Sequence, residues 1–268
     1  MQVIHHEECM GTVFSFMLRT ELSDVDAAAA LASAIKELHA ADEMFSLYKP
    51  ESPLSRLGRG EVSVAELDPL VDEVWNACEA WNKTTEGWFS AFTPQNTFDP
   101  SGLVKTWAVQ RAVQHLIEAG IEDFTVNAGG DILVGDKASD AVDWRVGISK
   151  PVSIASEDAG VLTVFDLKGT GFTAVATSGS TERGDHIWNP KAAGRVQNEL
   201  AQVTVIAKNL VTADVWATAA FAEGPRSIER LDKVEGVEAF YVFNTPDETG
   251  FPRLAATRGI HSLFAKAD

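Results

Sequence analysis

Phe98-Asp99-Pro100-Ser101-Gly102-Leu103-Val104-Lys105-Thr106-Trp107-Ala108 sets a carboxylate, a rigid turn and a small residue directly ahead of an apolar run. Pro100 fixes φ and has no N–H to donate, while Gly102 lets a ligand approach the backbone closely. Val104, Trp107, Ala108, Ala112 and Leu116 then recur at helical spacing, and Gly120 stands where a helix end favours a left-handed residue. A loop that feeds a helix N-terminus turns backbone N–H groups and the positive end of the helix dipole outward, which suits an anion such as phosphate. An ordinary capped helix start has the same outline, so the meaning of the segment depends on its surroundings.

On the N-terminal side, residues 12–19 alternate as a first strand, and Ser23 caps a helix carrying Val25, Ala28, Leu31, Ile35 and Leu38 at helical spacing. Asp68-Pro69 reads as an N-cap followed by Pro at the first helical position, opening a helix through Val71, Val74, Trp75, Cys78 and Trp81. Beyond Gly120 the pattern changes. Short β-type runs follow at 124–127, 131–134, 144–148, 161–167, 173–177 and 201–207, separated by Gly, Pro, Asp and Ser. A helix over about 212–222 ends at Gly224-Pro225, and a shorter one near 226–233 precedes strands at 238–243 and 253–257. Helices gathered in the first half and strands in the second predict an α+β fold, a single domain over 1–268 with helices packed on a largely antiparallel sheet. The stretch 138–160, rich in Asp, Ser and Ala, reads as exposed and mobile.

The chain has 268 residues, 45% hydrophobic and 23% charged, with a formal net charge of -17. That balance excludes nucleic acid as a partner, because a phosphate backbone needs clustered Lys and Arg. No segment approaches the roughly 20 apolar residues that span a bilayer. Charged residues rather than an apolar run precede Cys9, so neither a signal peptide nor a lipid-attachment cysteine is expected, no membrane anchor is expected, and the cytoplasm is the expected compartment. Cys9 and Cys78 are too few for a disulfide framework, and Cys78 falls on the apolar face of its helix as a buried thiol.

Several groups can carry chemistry. Asp214 and Thr218 share one face of a helix, and a carboxylate with a hydroxyl is the hard oxygen pair that Mg²⁺ takes; a helix-start Asp and a Thr bonding back to a carbonyl give the same spacing. His186, inside Gly184-Asp185-His186-Ile187-Trp188-Asn189-Pro190, titrates near neutrality and can accept a proton from an attacking hydroxyl. Tyr48 offers an aromatic face, and Trp88-Phe89-Ser90 another wall, although clustered aromatics also build cores. Asn127-Ala128-Gly129-Gly130-Asp131, between two strand-like runs, reads as a tight turn and is not a G-x-G-x-x-G dinucleotide loop. Ala176-Thr177-Ser178-Gly179 can pass a hydroxyl or an N–H to a phosphate.

Taken in order, Met10-Gly11-Thr12, Met44-Phe45-Ser46-Leu47-Tyr48, Pro50-Glu51-Ser52-Pro53-Leu54-Ser55-Arg56, Asp99-Pro100-Ser101-Gly102, Asn127–Asp131, Ala176–Gly179, His186–Pro190 and Thr212-Ala213-Asp214 with Thr218 resemble the FAD:protein FMN transferases, the ApbE-type flavin transferases, from about residue 10 to about 224. The resemblance implies a T-fold-type α+β domain that moves FMN from FAD to a Ser or Thr hydroxyl of an acceptor flavoprotein and releases AMP. It implies a Mg²⁺ held by Asp214, Thr218 and the backbone carbonyl of Gly102, with His186 as the catalytic residue. Met10, Tyr48, Trp88, Phe89, Ser90, Asp99, Lys105 and Ile187 match FAD-contacting positions, and Ser178 joins them as a phosphate contact. Trp88-Phe89-Ser90 departs from the commoner Gly/Ala-Phe-Asp pattern, and Ala217 stands where some relatives carry a further acid. An acidic chain that binds an anionic dinucleotide has to offset charge locally, which a divalent cation does. The alternatives are an FAD pyrophosphatase, in which water replaces the protein hydroxyl, and a non-catalytic FAD-binding or storage protein.

Overall fold

Strand β1 (Gln2–Cys9) pairs antiparallel with β2 (Thr12–Arg19) across the two-residue turn Met10-Gly11, where φ is +50° and +69°. Both turn residues at positive φ match the right-handed strand twist, the condition for a tight hairpin. In a computed structural model of the chain the described residues are 1–135, 144–151, 160–179, 187–192, 199–246 and 251–265. Much of the 138–160 stretch read as exposed and mobile lies outside them. The chain divides into two compact units, Met1–Thr84 with Ser90–Val142 and Thr85–Phe89 with Asp143–Asp268. The sequence reading expects a single domain.

In the first unit, α1 (Asp24–Phe45) starts at Ser23, whose hydroxyl accepts from the Asp26 N–H at 3.2 Å. Its buried face is Ala27, Ala30, Leu31, Ala34, Leu38, Ala41 and Phe45, rotated from the expected one so that Val25 stands 77% exposed. Small alanines let α1 lie close along α4 (Ser101–Glu118). Between them come the short α2 (Pro53–Gly58), capped by Ser52 and absent from the sequence reading, and α3 (Pro69–Thr84), where Asp68 Oδ1 accepts from the Leu70 N–H. Trp107 of α4 meets Phe45 edge-on at 5.5 Å and donates its indole N–H to Glu73 of α3 at 2.9 Å, so one residue joins three helices. Cys78 is buried on α3, and desolvation pushes its thiol up to about 12. Strands β3 (Asp123–Ala128) and β4 (Asp131–Val134) complete an antiparallel β1-β2-β3-β4 order.

In the second unit, β5 (Arg145–Ser149) and β6 (Val161–Asp166) form an antiparallel pair. Strands β7 (Ala174–Gly179), β8 (Leu200–Ala207), β9 (Val237–Pro246) and β10 (Pro252–Ala256) follow one another in an antiparallel sheet. Every residue of β8 is buried. Its two polar side chains are satisfied: Gln202 donates to the Ser149 carbonyl at 3.2 Å, and Thr204 shares a hydrogen bond with Thr177 at 2.8 Å. Helix α5 (Leu210–Glu223) lies on β7 and β8, with Asn209 capping it through the Thr212 N–H, and α6 (Ser227–Leu231) packs against β9. The protein is therefore α+β with largely antiparallel strands, as the segregated helical and strand-like patterns predict.

Candidate active site

In the first unit the Met10-Gly11 turn borders a cavity of about 430 Å³ lined by Cys9, Met10, Thr12 and Asp42, among others. The sequence reading missed β1, the strand that sets this turn in place. Tyr48, just past the end of α1, is 97% exposed, with its backbone N–H on Ser46 Oγ and its ring free of packing that the fold would need. Beside it Lys49 pairs with Asp42 at 2.6 Å. A bare aromatic ring is suited to stacking on a planar ligand.

Asp99 precedes α4 and accepts the Ser101 N–H at 3.0 Å, doing the capping that Pro100 cannot. Gly102 sits in the first turn of the helix, and Lys105 follows one turn later. The ammonium of Lys105 pairs with Asp131, whose carboxylate is almost wholly buried. Asp131 begins β4 directly after Gly129-Gly130, both at positive φ, and Asn127 Oδ1 accepts from the Gly130 N–H at 2.8 Å to brace that turn. The sequence reading takes this motif as a turn and misses Asp131 as a partner of Lys105. Only the fold brings residues of α4 and β4 together. Ser90 spends its hydroxyl locally, accepting from the Phe92 N–H at 3.0 Å and lying 3.1 Å from the Phe92 carbonyl.

In the second unit, Asp214 and Thr218 fall one turn apart on α5, with Asp214 buried at 7% exposure. Ser178 of β7 shares a hydrogen bond with Thr218 at 3.1 Å. A buried carboxylate thus stands one helical turn from two hydroxyls that bridge β7 and α5, oxygen donors of the kind a hard cation takes. Among the described residues no cluster of three His, Cys, Asp or Glu side chains could hold a metal. A cation here would therefore take hydroxyl, backbone, water or phosphate oxygens beside the one carboxylate, which is the usual manner of Mg²⁺.

Trp88 lies under the Lys191 ammonium at 4.3 Å, whereas Phe89 is a core residue at 2% exposure with its N–H on Thr85 Oγ1. Ile187 is buried, and His186 lies outside the described residues. Trp188 belongs to the same motif, and its indole N–H is buried with no hydrogen-bond partner among the described residues. A buried donor without a partner is uncommon and suits a ligand oxygen.

The sequence pattern described as the ApbE family matches residues 92–241. A FAD:protein FMN transferase from Vibrio cholerae serotype O1 is 28% identical over 172 residues, 61% of this chain and 49% of that protein. One from Rhodobacter capsulatus is 31% identical over 183 residues, 59% of this chain and 33% of that protein. The chain spans about half the length, or less, of these curated relatives. Among solved structures, the flavin transferase ApbE from Vibrio cholerae superposes with a TM-score of 0.80 at 20% identity, covering 98% of this chain and 99% of that one. An ApbE protein from Thermotoga maritima gives 0.80 at 18%, covering 99% and 100%. These superpositions establish the fold, and the match over residues 92–241 establishes that the chain belongs to the ApbE family.

Proposed function

We propose that this protein transfers FMN from FAD to a Ser or Thr hydroxyl of an acceptor flavoprotein, releasing AMP. The observation that carries the reading is the Ser178–Thr218 hydrogen bond with buried Asp214 one helical turn away on α5, within the part of the chain that matches the family. The names of the curated relatives, FAD:protein FMN transferase, supply the substrate and the kind of acceptor.

The acceptor oxygen forms a bond to the flavin-side phosphorus of FAD while the bond from that phosphorus to the bridging oxygen breaks, and AMP leaves with the bridging oxygen. His186 takes the proton of the acceptor hydroxyl, because it is the one histidine borne by these motifs, and imidazole is the usual general base. Asp214 and Thr218, with the backbone carbonyl of Gly102, would hold Mg²⁺, which supplies charge neutralisation on the pyrophosphate. Met10, Tyr48, Trp88, Asp99, Lys105 and Ile187 hold the FAD, and Ser178 contacts its phosphates. Phe89 acts from the core, supporting its neighbours. The cytoplasm is the compartment in this reading. Among the described residues no helix is long and apolar enough to cross a membrane.

The test is mass spectrometry of candidate flavoproteins after incubation with the protein, FAD and Mg²⁺, alongside AMP release. An FMN adduct on the acceptor together with AMP is expected. AMP without an acceptor would instead indicate a pyrophosphatase, and FAD binding without AMP a storage protein. His186→Ala should slow transfer by about 10²–10⁴-fold, the usual contribution of a general base. FAD affinity should change little, and full activity in that variant would take His186 out of the mechanism.

A further inference from the structure

The Asn127–Asp131 turn is assigned no part in flavin transfer, yet it delivers a buried carboxylate to Lys105. We propose that Asp131 is the positioning residue for Lys105, fixing the ammonium where it meets the FAD phosphates. The proposal rests on the flavin-transfer reading, which gives Lys105 its ligand.

A lysine ammonium rides on a flexible four-carbon stem and loses rotamer freedom when held in place. Here it is held. The Lys105 side chain is 15% exposed and that of Asp131 3%, and the two meet in an ion pair. The carboxylate in turn sits on a rigid mount. Gly129 and Gly130 have φ of +61° and +100°, Ala128 pairs with Asp131 across them, and Asn127 Oδ1 and the Val13 carbonyl accept the N–H groups of Gly130 and Gly129. Thr12 closes the remaining side, since a Cβ on Gly129 would come within 2.3 Å of its Oγ1. The Met10-Gly11-Thr12 and Asn127–Asp131 motifs are thus one assembly that ends in the carboxylate holding Lys105.

Two effects of Asp131 on FAD oppose each other. Its negative charge repels phosphate, whereas its grip on Lys105 spares the ligand the cost of ordering the side chain. Removing a fixed partner from a nearly buried ammonium leaves that charge to find a new arrangement, and such losses exceed the gain from deleting one screened repulsion. Asp131→Asn keeps the shape and removes the charge, so FAD affinity in that variant reports the net of the two effects.

The experiment is FAD titration of the wild-type protein, Asp131→Asn, Lys105→Met and the double variant at fixed Mg²⁺, with thermal melts as a folding control. Nitrogen-15 NMR of the lysine ammonium groups runs in parallel, and the signal missing from Lys105→Met assigns Lys105. We expect Asp131→Asn to weaken FAD binding about tenfold, on the scale of one charge-assisted hydrogen bond. Lys105→Met should weaken it at least as much, the double variant no further, and the Lys105 ammonium signal should shift or broaden in Asp131→Asn. Unchanged or tighter binding in Asp131→Asn overturns the proposal. So does an equal additional loss in the Lys105→Met background, which would mark Asp131 as structural. If Asp131→Asn does not fold, Asp131→Ser provides the same comparison. A wild-type protein that fails to bind FAD would overturn the flavin reading and this proposal with it, while an unmoved Lys105 signal would overturn the positioning alone.

Discussion

Ser178 Oγ and Thr218 Oγ1 lie 3.1 Å apart and tie β7 to α5 one helical turn beyond Asp214. A hydroxyl pair uses one proton between two oxygens, and the lone pairs left over can serve a cation or a phosphate. Ser178 faces α5 because strand side chains alternate. Its neighbour Thr177 points to the other side of the sheet and bonds Thr204 at 2.8 Å. A shift of β7 by one residue would exchange the two, turning Thr177 toward α5 and Ser178 away from it.

That arrangement predicts a graded response. Asp214→Ala removes the carboxylate from the oxygen set and should reduce Mg²⁺-dependent AMP release on the order of 10³-fold, the size of a metal's charge stabilisation. Circular dichroism should be unchanged. Thr218→Ala should cost less, since water can replace a neutral hydroxyl. Activity that survives in Asp214→Ala with its ordinary Mg²⁺ dependence would remove Asp214 from the cation site.

Tyr48 should separate binding from stability. At 97% exposure its ring contributes almost nothing to the core, so Tyr48→Ala should leave stability within about 0.5 kcal/mol of wild type in denaturant melts. An aromatic stack is worth roughly 0.5–1.5 kcal/mol, so FAD affinity should fall by about 2–12-fold. Unaltered FAD fluorescence quenching in that variant would mean that the flavin stacks elsewhere.

Gly129 should behave in the opposite way. Its φ is +61°, and an added Cβ would press on Thr12 Oγ1 at 2.3 Å. Gly129→Ala should destabilise the protein by about 1–3 kcal/mol, from left-handed strain and the clash together. Adding Thr12→Ala should recover part of the loss, because it removes the hydroxyl. Full additivity of the two substitutions in melting experiments would show that the residues do not meet.

The elements that punctuation marks were legible in the sequence. Ser23, Asp68-Pro69, Pro100, Gly120 and Gly129-Gly130 each specify a local backbone state, and the structure has a cap, a helix start or a turn at each. What escaped was set by tertiary context. Strand β1 pairs its inner face with buried Phe14, Phe16 and Leu18, yet that face includes His5 and Glu7, so alternation of apolar and polar residues never appears. Such inward charges suit a strand whose outer neighbour is absent from its unit's order and discourage pairing with foreign strands. The buried face of α1 was misplaced because alanine, a weak hydrophobic marker, forms most of it. Asp214 and Thr218 share a helix, so their spacing could be read directly. Ser178 and Asp131 act on partners far away in sequence, and no local periodicity encodes such a meeting.

The inward carboxylate of β1 gives the last prediction. Glu7 accepts from the His5 ring at 2.9 Å and from the His39 ring of α1 at 2.7 Å. These bonds, His5 first, hold its carboxyl below the usual value of 4.5, while partial burial opposes them. A carboxyl whose value is lower in the folded than in the unfolded chain binds fewer protons when folded. Its contribution is therefore complete above the unfolded value and disappears as pH falls through the folded one. His39 also touches Cys9 at 3.7 Å, and desolvation, followed by the charge of Asp42, raises that thiol. Lys49, paired with Asp42, completes the charged surroundings. Glu7→Gln should lower the melting temperature between pH 5 and 7, and the gap from wild type should close as pH falls below about 4. Added salt should narrow the gap at neutral pH, because the pair of imidazoles is partly open to solvent. A difference that stays constant down to pH 3 would show that Glu7 matters for its packing and not for its charge.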